Sequence, residues 1–398
     1  MPPYVSDLGA RIRRLRHIAG IDQAELATRL GISTGSVSKL ESNRYVLPDH
    51  DALVLTAKAL GCDPAYFAAP SEPVATTRPW LRAYADASQR ALDRQLADCV
   101  LAVETIDRLE LRTLPDSFPA FRGDLDDEMA IEEFALDVRS QAGLGSGDVV
   151  ANSIRTAERL GCVVLPMSGE LGRHLGLSMR ANVLPVICVS RPSEDTETHV
   201  PGDRQRYTVA HEIGHLALHS GLGQPQTAGD ATTIERQAHM FAGAFLAPAD
   251  ALLADLREHG GRVTLRTLVL IKEHWGVSVK ALVMRFRSLG IIDEAHARSL
   301  YKQISARGWN KDEPVEVPNE SAVWLKKAID RKFAGNSDPI ASSARSAALN
   351  PAHIRRWLDW SPSRNHIELA DVVSLEPRRT PDRGQVGRAT AAPRHRTK

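Results

Sequence analysis

The feature that most constrains this 398-residue sequence is the string His211-Glu212-Ile213-Gly214-His215. Residues four apart lie on one face of an α-helix, so both imidazoles can be directed at a single ion. Neutral imidazole suits Zn²⁺, and two such ligands leave room for a third ligand and for water. Glu212 lies about 100° around the helix from His211, where its carboxylate can take a proton from water beside the ion. The string therefore predicts a Zn²⁺ site, which another divalent ion could also occupy, with Glu212 as general base.

A third ligand is expected from a second helix-like stretch that begins near Glu235 and ends near Pro248. Glu235 follows His215 by 20 residues, a distance at which a returning helix can present its carboxylate to the same ion. A set of two histidines and one glutamate with an open position is typical of catalytic zinc sites. His219, one turn past His215, is the rival third ligand. His239, one turn past Glu235, is a candidate partner of a ligand, a donor to the transition state, or a histidine of the helix surface.

The N-terminal residues 7–60 contain four helix-period segments separated by short turns. Only Gly31-Ile32-Ser33 joins the second segment to the third, and this is the short glycine-containing turn of a helix-turn-helix. The third helix is expected to enter the major groove of double-stranded DNA. The arginines at 11, 13, 14 and 16 add local positive charge. The predicted DNA contacts are Gln23, Thr34, Gly35, Ser36, Ser38, Lys39, Asn43 and Arg44.

Composition restricts the class of protein. The formal net charge is only +1, so a nucleic-acid-binding surface has to be local rather than global. No apolar run approaches the ~20 residues that cross a bilayer, and the N-terminus has no apolar signal core. The four cysteines form no CxxC pair, which favours free thiols. These observations predict a cytoplasmic protein without a membrane partner.

The sequence predicts a mainly α fold with an α+β unit: a helix-turn-helix bundle, then a zincin-like domain with a small sheet, then a helical C-terminal extension. Short β-branched runs at 162–165 and 186–189 predict the strands. One long helix is expected over about 80–112. No internal repeat is evident, and residues 350–360 are expected to form a short amphipathic helix that closes the core or contacts a second copy. The expected segments are 1–70 (helix-turn-helix), 71–128 (helical linker and dimer contact), 129–250 (peptidase-like domain), 251–375 (helical region) and 376–398 (disordered basic tail).

Two family resemblances follow from these motifs. Residues 9–67 resemble the Xre-type helix-turn-helix family through Leu15-Arg16, Gln23, Leu26-Ala27, Leu30-Gly31-Ile32-Ser33, Val37-Ser38-Lys39-Leu40-Glu41 and Pro48. Residues 129–310 resemble the ImmA/IrrE family of metallopeptidases through 203–219, 235–248, Gly176-Leu177-Ser178, 185–190 and 275–282. The second resemblance implies a zinc-dependent endopeptidase fold with His211, His215 and Glu235 as ligands and Glu212 as base. Members of that family typically cleave or inactivate a DNA-bound repressor.

Together these expectations describe a bacterial or phage-type transcriptional regulator that binds an operator and carries a zinc endopeptidase. Its expected partners are double-stranded operator DNA, a protein substrate or partner repressor, and a second copy, because such bundles bind two half-sites. Two alternatives stay open. One is a non-enzymatic regulator whose peptidase-like domain senses a ligand or metal, and the other is an antitoxin that represses its own operon. Glu212, intact beside both histidines, favours the enzyme.

Overall fold

The computed structural model describes residues 7–68, 74–77, 88–112, 118–167, 171, 174–192, 199–223 and 225–362. The predicted basic tail at 376–398 lies outside these residues, and so do residues 80–87 of the predicted long helix. No helix among the described residues combines the length and the apolar character that crossing a membrane requires.

The N-terminal bundle forms as the sequence predicts, because its turn residues end one helix and start the next. Gly31 adopts the left-handed conformation (φ 67°) that ends the second helix, and the Ser33 side chain accepts the Ser36 N–H at the start of the third. The predicted apolar set of the first helix (Leu8, Ile12, Leu15, Ile18) is buried. The helices of the bundle are α1 (Leu8–Ala19), α2 (Gln23–Leu30), α3 (Thr34–Glu41), α4 (His50–Leu60) and α5 (Ala65–Ala68).

Helix α6 (Gln89–Arg108) connects the bundle to the rest of the protein. Among the described residues, the helix predicted over 80–112 covers only Gln89–Arg108, because Ser88 is extended (ψ 133°) and its side chain caps the helix by accepting the Ala91 N–H. Periodicity could not reveal this start, since the sequence has no glycine or proline there. Helix α6 packs against α1 on one side and reaches the sheet on the other, where Cys99 Sγ lies 3.1 Å from Cys188 Sγ. Both thiols are free and buried.

A three-stranded sheet lies at the centre of the peptidase-like half. Its order is β1-β3-β2, with β1 parallel to β3 and β2 antiparallel to β3, and both β-branched runs predicted as strands are confirmed. Strand β2 is at one side of the sheet, where residues 74–77 pair with its far end through Thr76 and Ala181. The elements of this part are α7 (Glu128–Gln141), α8 (Ser153–Arg159), β1 (Val163–Met167), β2 (Gly176–Ala181) and β3 (Leu184–Ser190).

Two long helices, α9 (Gly202–Leu218) and α10 (Ala228–Leu246), pack against each other beside the sheet. Close approach depends on Gly214, because a Cβ there would lie only 3.0 Å from the ring of Phe241. Helix α9 also packs on β2 and β3. A capping box between Thr227 and Asp230 defines where α10 begins. The crossing of these two helices places their polar faces together at one site.

The C-terminal helices divide between two cores. Helices α11 (Ala249–Glu258), α12 (Leu265–Trp275), α13 (Val279–Ser288) and α14 (Glu294–Ala306) complete the core around α9 and α10. Helices α15 (Trp324–Lys332), α16 (Pro339–Ala347) and α17 (Pro351–Leu358) instead join the core that contains the N-terminal bundle and α6. The short amphipathic helix expected at 350–360 is therefore α17, and it packs within the chain.

Candidate functional site

Helix α9 brings the two histidines of the HExxH string together, as the i,i+4 spacing predicts. Nε2 of His211 lies 3.0 Å from Nε2 of His215. The His215 side chain is buried and that of His211 is nearly so. Two imidazole nitrogens that face each other at this distance are arranged as donors to a shared ion or proton.

Helix α10 adds the carboxylate of Glu235. Its oxygens lie 3.4 Å from His211 Nε2 and 3.6 Å from His215 Nε2. Burial tends to raise the pKa of this carboxyl, but hydrogen bonds from both imidazoles outweigh it and hold the pKa well below its usual value. Glu235 is therefore a carboxylate at neutral pH, the form in which a metal ligand acts.

The three donor atoms fit a zinc ion. Bonds of about 2.0–2.1 Å in a tetrahedral site place neighbouring ligand atoms about 3.3 Å apart. The three separations of 3.0, 3.4 and 3.6 Å bracket that value. Two imidazoles and one carboxylate also match the donor chemistry of catalytic zinc.

The carboxylate of Glu212 contacts strand β2 of the sheet. It is buried, and one carboxylate oxygen accepts a hydrogen bond from the hydroxyl of Ser178 on β2. A Cβ at Gly176 would lie 2.3 Å from Thr208 and 3.0 Å from Glu212, so glycine is required for β2 to approach α9 here. The sequence suggested Gly176 and Ser178 only through the family resemblance, and the structure shows that both shape the surroundings of Glu212.

His219 occupies a different place from the one proposed for a rival ligand. It is fully buried behind His215, with Nδ1 at 3.1 Å from His215 Nδ1 and Nε2 at 3.1 Å from Gln237 Oε1. The Gln237 amide in turn donates to the Leu125 carbonyl at 2.9 Å. Burial, together with the charge of His215, lowers the pKa of His219 to about 3, so its ring stays neutral.

An ion on His215 at one end, and the Gln237 acceptor at the other, together set the positions of the protons in this series of hydrogen-bonded side chains. If His215 Nε2 is free to bind an ion, Nδ1 carries the proton and donates it to His219 Nδ1. His219 then carries its own proton on Nε2 and donates it to Gln237. Hydrogen bonding of this kind sets the orientation and tautomer of a ligand histidine. Sequence reasoning missed Gln237, since a glutamine on a helix carries no signal of this role.

His239 lies at the exposed mouth of the site. Its ring centre is 4.4 Å from that of His211, and its Nδ1 is 3.3 Å from the hydroxyl of Tyr207. His211, Glu235 and His239 each offer a donor atom within 4.8 Å of the others. Partial desolvation of the ring by its neighbours, together with the charge of His211, lowers the pKa of His239 to about 4. The ring is therefore neutral and close enough to act on a molecule bound in the site.

The predicted DNA contacts divide into two groups. Thr34, Gly35, Ser38 and Lys39 on α3 and Arg44 beyond it are exposed, and Ser36 is half-buried. Gln23 and Asn43 already have partners inside the bundle: the Gln23 amide donates to Glu41 at 2.8 Å, and Asn43 Oδ1 accepts the Gly9 N–H at 2.7 Å. The predicted contacts that are exposed thus lie on α3 and at Arg44.

The arginine cluster of α1 contributes less free charge than expected. Arg11 and Arg16 are buried, with Arg11 bound to Asp7 and Arg16 to Glu41. Arg14 forms an ion pair with Glu104 of α6. The positive charge that these arginines add is therefore largely paired, and the pairs of Arg14 and Arg16 join α1 to α6 and α3.

Comparison with family models finds two matching segments. Residues 7–69 match a helix-turn-helix domain, and residues 157–287 match the IrrE N-terminal-like domain. Searches among curated proteins and among solved structures found no match. The first segment contains α1–α5, and the second contains β1–β3 and the histidines and glutamates of α9 and α10. The matches agree with both resemblances seen in the sequence: one segment of the chain is similar to a helix-turn-helix domain, and a later segment is similar to an IrrE N-terminal-like domain.

Proposed function

We propose that this chain is a DNA-binding transcriptional regulator whose IrrE N-terminal-like domain is a zinc-dependent endopeptidase. The observation that carries the proposal is the convergence of His211, His215 and Glu235 at the spacing of zinc ligands, beside a buried Glu212. The exposed α3 of the helix-turn-helix domain supports the DNA-binding half of the proposal.

In the proposed reaction Glu212 acts as the base. Zn²⁺ held by His211, His215 and Glu235 would act as a Lewis acid that polarises the scissile carbonyl and makes water more acidic. Glu212 takes the proton from the attacking water and passes it to the nitrogen of the leaving amine. Ser178 donates to the Glu212 carboxylate and holds it in position. His239, neutral and at the mouth of the site, is placed to donate to the carbonyl oxygen of the substrate.

Strand β2 offers a surface for the substrate backbone. Arg180 and Asn182 direct their backbone groups away from β3, since the Arg180 carbonyl accepts from Thr77 and the Asn182 N–H donates to Ala75. Alternation along a strand gives Gly176 and Ser178 the same outward direction, next to Glu212. An extended peptide can add to this part of the edge as a further strand.

Metal analysis of the purified full-length chain, with and without Glu235→Ala, tests the metal half of the proposal. We expect about one zinc per chain in the parent and a large loss in the variant. A parent chain that binds no zinc, or a Glu235→Ala variant that keeps it, would contradict the assignment of the ligands.

The Glu212→Gln variant separates an enzyme from a metal sensor. It should keep zinc, because Glu212 is not among the converging ligands, and it should lose regulation in cells if regulation depends on proteolysis. If regulation survives Glu212→Gln but is lost in His211→Ala, the domain senses metal and the endopeptidase proposal fails.

A further inference from the structure

Helices α16 and α17 pack on each other as α2 and α3 do, and α15 precedes them in the chain as α1 precedes α2. The two triplets match at a constant separation of 317 residues, the distance from Gly31 to Ala348, without insertion or deletion. The repeat is not evident in the sequence, because few of the matched residues are identical. It becomes visible when turns and buried positions are compared.

The turns between the second and third helices of each triplet are alike. Gly31 (φ 67°, ψ 28°) and Ala348 (φ 58°, ψ 34°) both adopt the left-handed conformation. In the first triplet the N–H groups of residues 31 and 32 donate to Thr28 and Ala27, and in the second those of residues 348 and 349 donate to Arg345 and Ala344. Ser33 and Asn350 then cap the third helices through their side chains. Each triplet thus has the three-residue turn of a helix-turn-helix.

The buried positions also correspond. Each helix of one triplet shares buried positions with its counterpart, except that the buried Leu15 and Ile18 correspond to the exposed Lys332 and Gly335. The matched buried pairs are Leu8 and Leu325, Ile12 and Ile329, Ala27 and Ala344, Val37 and Ile354, and Leu40 and Trp357. The matched turn and the matched buried pairs give α17 the place after α16 that α3, the proposed DNA-reading helix, has after α2.

The outer face of α17 remains exposed. Ala352 and Arg355 are exposed, like their counterparts Gly35 and Ser38. Arg355 forms only a surface pair with Asp338 at 3.8 Å, which is weak enough to be exchanged for another anion. Arg356 is not available in this way, because it is bound to Asp98 of α6.

The charge of the second triplet favours a polyanionic partner. Residues 324–358 contain seven Lys or Arg and two Asp, whereas residues 8–41 contain six Lys or Arg and three acidic residues. Of the arginines in the first triplet, Arg11 and Arg16 are buried, while Arg345 and Arg355 of the second triplet are exposed. From the turn, the core and the charge, we infer that α15–α17 form a second helix-turn-helix unit that binds double-stranded DNA through the exposed face of α17.

The inference is tested by DNA binding of the full-length chain, with a pool of random-sequence duplexes as the probe. The test variants are Arg355→Ala and Ala352→Glu, the second placing a negative, bulkier side chain at the start of α17. Lys302→Ala, an exposed lysine of α14, is the matched control, and Lys39→Ala reports on the first unit. We expect Arg355→Ala to weaken binding about fivefold or more and to lower the salt slope of log K by about 1. Ala352→Glu should weaken binding at least as much, and Lys302→Ala should do neither.

Each outcome bears on the second unit separately from the first. If Lys39→Ala weakens binding while both α17 variants behave like Lys302→Ala, the inference is overturned and the DNA-binding half of the proposed function stands. If the α17 variants weaken binding and Lys39→Ala does not, the inference stands and the role proposed for α3 fails. If the α17 variants instead change the sedimentation of the protein without DNA, the face is a contact between copies and the inference is overturned. Thermal unfolding of each variant shows that the fold is kept.

Discussion

The substitution Gln237→Leu examines how the proposed zinc ligand His215 is held. Gln237 is 3% exposed and accepts a hydrogen bond from His219, which is completely buried and contacts the far side of the His215 ring. Leucine has a similar size but no acceptor. The substitution therefore removes the end of the hydrogen-bond chain while leaving all three proposed ligands in the sequence.

Two effects of different kinds are expected. The hydrogen bond between His219 and Gln237 would be lost, which costs about 0.5–1.5 kcal/mol of folding free energy. The His215 ring would also lose the constraint on its tautomer and orientation, and loss of such outer partners lowers metal affinity about 10- to 100-fold. This range is about 1.4–2.8 kcal/mol of binding free energy. The second effect is the specific one, since any buried polar substitution can produce the first.

Zinc affinity, measured by competition with a fluorescent chelator, separates the two effects when it is combined with urea unfolding of the metal-free protein. Gln95→Leu is the matched control, because Gln95 is also buried and contacts Cys188 far from the ligands. It should lower stability and keep zinc affinity. Gln237→Glu keeps an acceptor for His219 and should keep zinc affinity too. Unchanged zinc affinity in Gln237→Leu, or an equal loss in Gln95→Leu, would refute the proposal that His219 and Gln237 orient the His215 ring for zinc binding.

Three further predictions concern other parts of the molecule. Lys39→Ala should weaken binding to a duplex selected by the parent chain by about 1–3 kcal/mol in a fluorescence-anisotropy titration, and an unchanged affinity would argue against α3 as the reading helix. Ser178→Ala should slow cleavage of a quenched peptide pool about tenfold while zinc content is kept, because Glu212 loses its donor; equal rates would show that the hydrogen bond is dispensable. Burial, assisted by Arg356, lowers the pKa of His353 to about 4. The folded state therefore favours the neutral ring, and the contribution of this histidine to the free energy of unfolding is fully present above about pH 6.5. Between about pH 7.5 and 5 the parent should lose about 2 kcal/mol more unfolding free energy than His353→Phe, and equal losses in urea titrations would contradict this.

The parts of the fold that the sequence predicts well are those governed by local signals. Gly31 and Ser33 mark a turn by their own backbone and side-chain preferences, and the bundle follows from them. The i,i+4 spacing of His211 and His215 fixes their common face on any helix, whatever surrounds it. Glu235 could be proposed because a returning helix is the simplest way to supply a third ligand.

The features that the sequence could not predict depend on contacts between residues that are distant along the chain. The position of His219 behind His215, and not beside it, is set by Gln237 on another helix. The arginines of α1 look like a solvated face until Glu41 and Glu104 are placed against them. The inferred second helix-turn-helix unit has no sequence signal at its turn, because Ala348 stands where a glycine is expected.

The packing of the helix-turn-helix domain limits how proteolysis could act on it. A cut between Ala68 and Ser88 would break the covalent connection, but the Arg14–Glu104 ion pair and the contact of Asp63 with Ala348 would remain. Separation would also expose the apolar core that α1, α6 and the C-terminal helices share, and apolar burial stabilises an interface in proportion to its area. Cleavage of this segment alone would therefore leave the DNA-binding domain in place. A partner protein is the substrate that better fits a switch built on this fold.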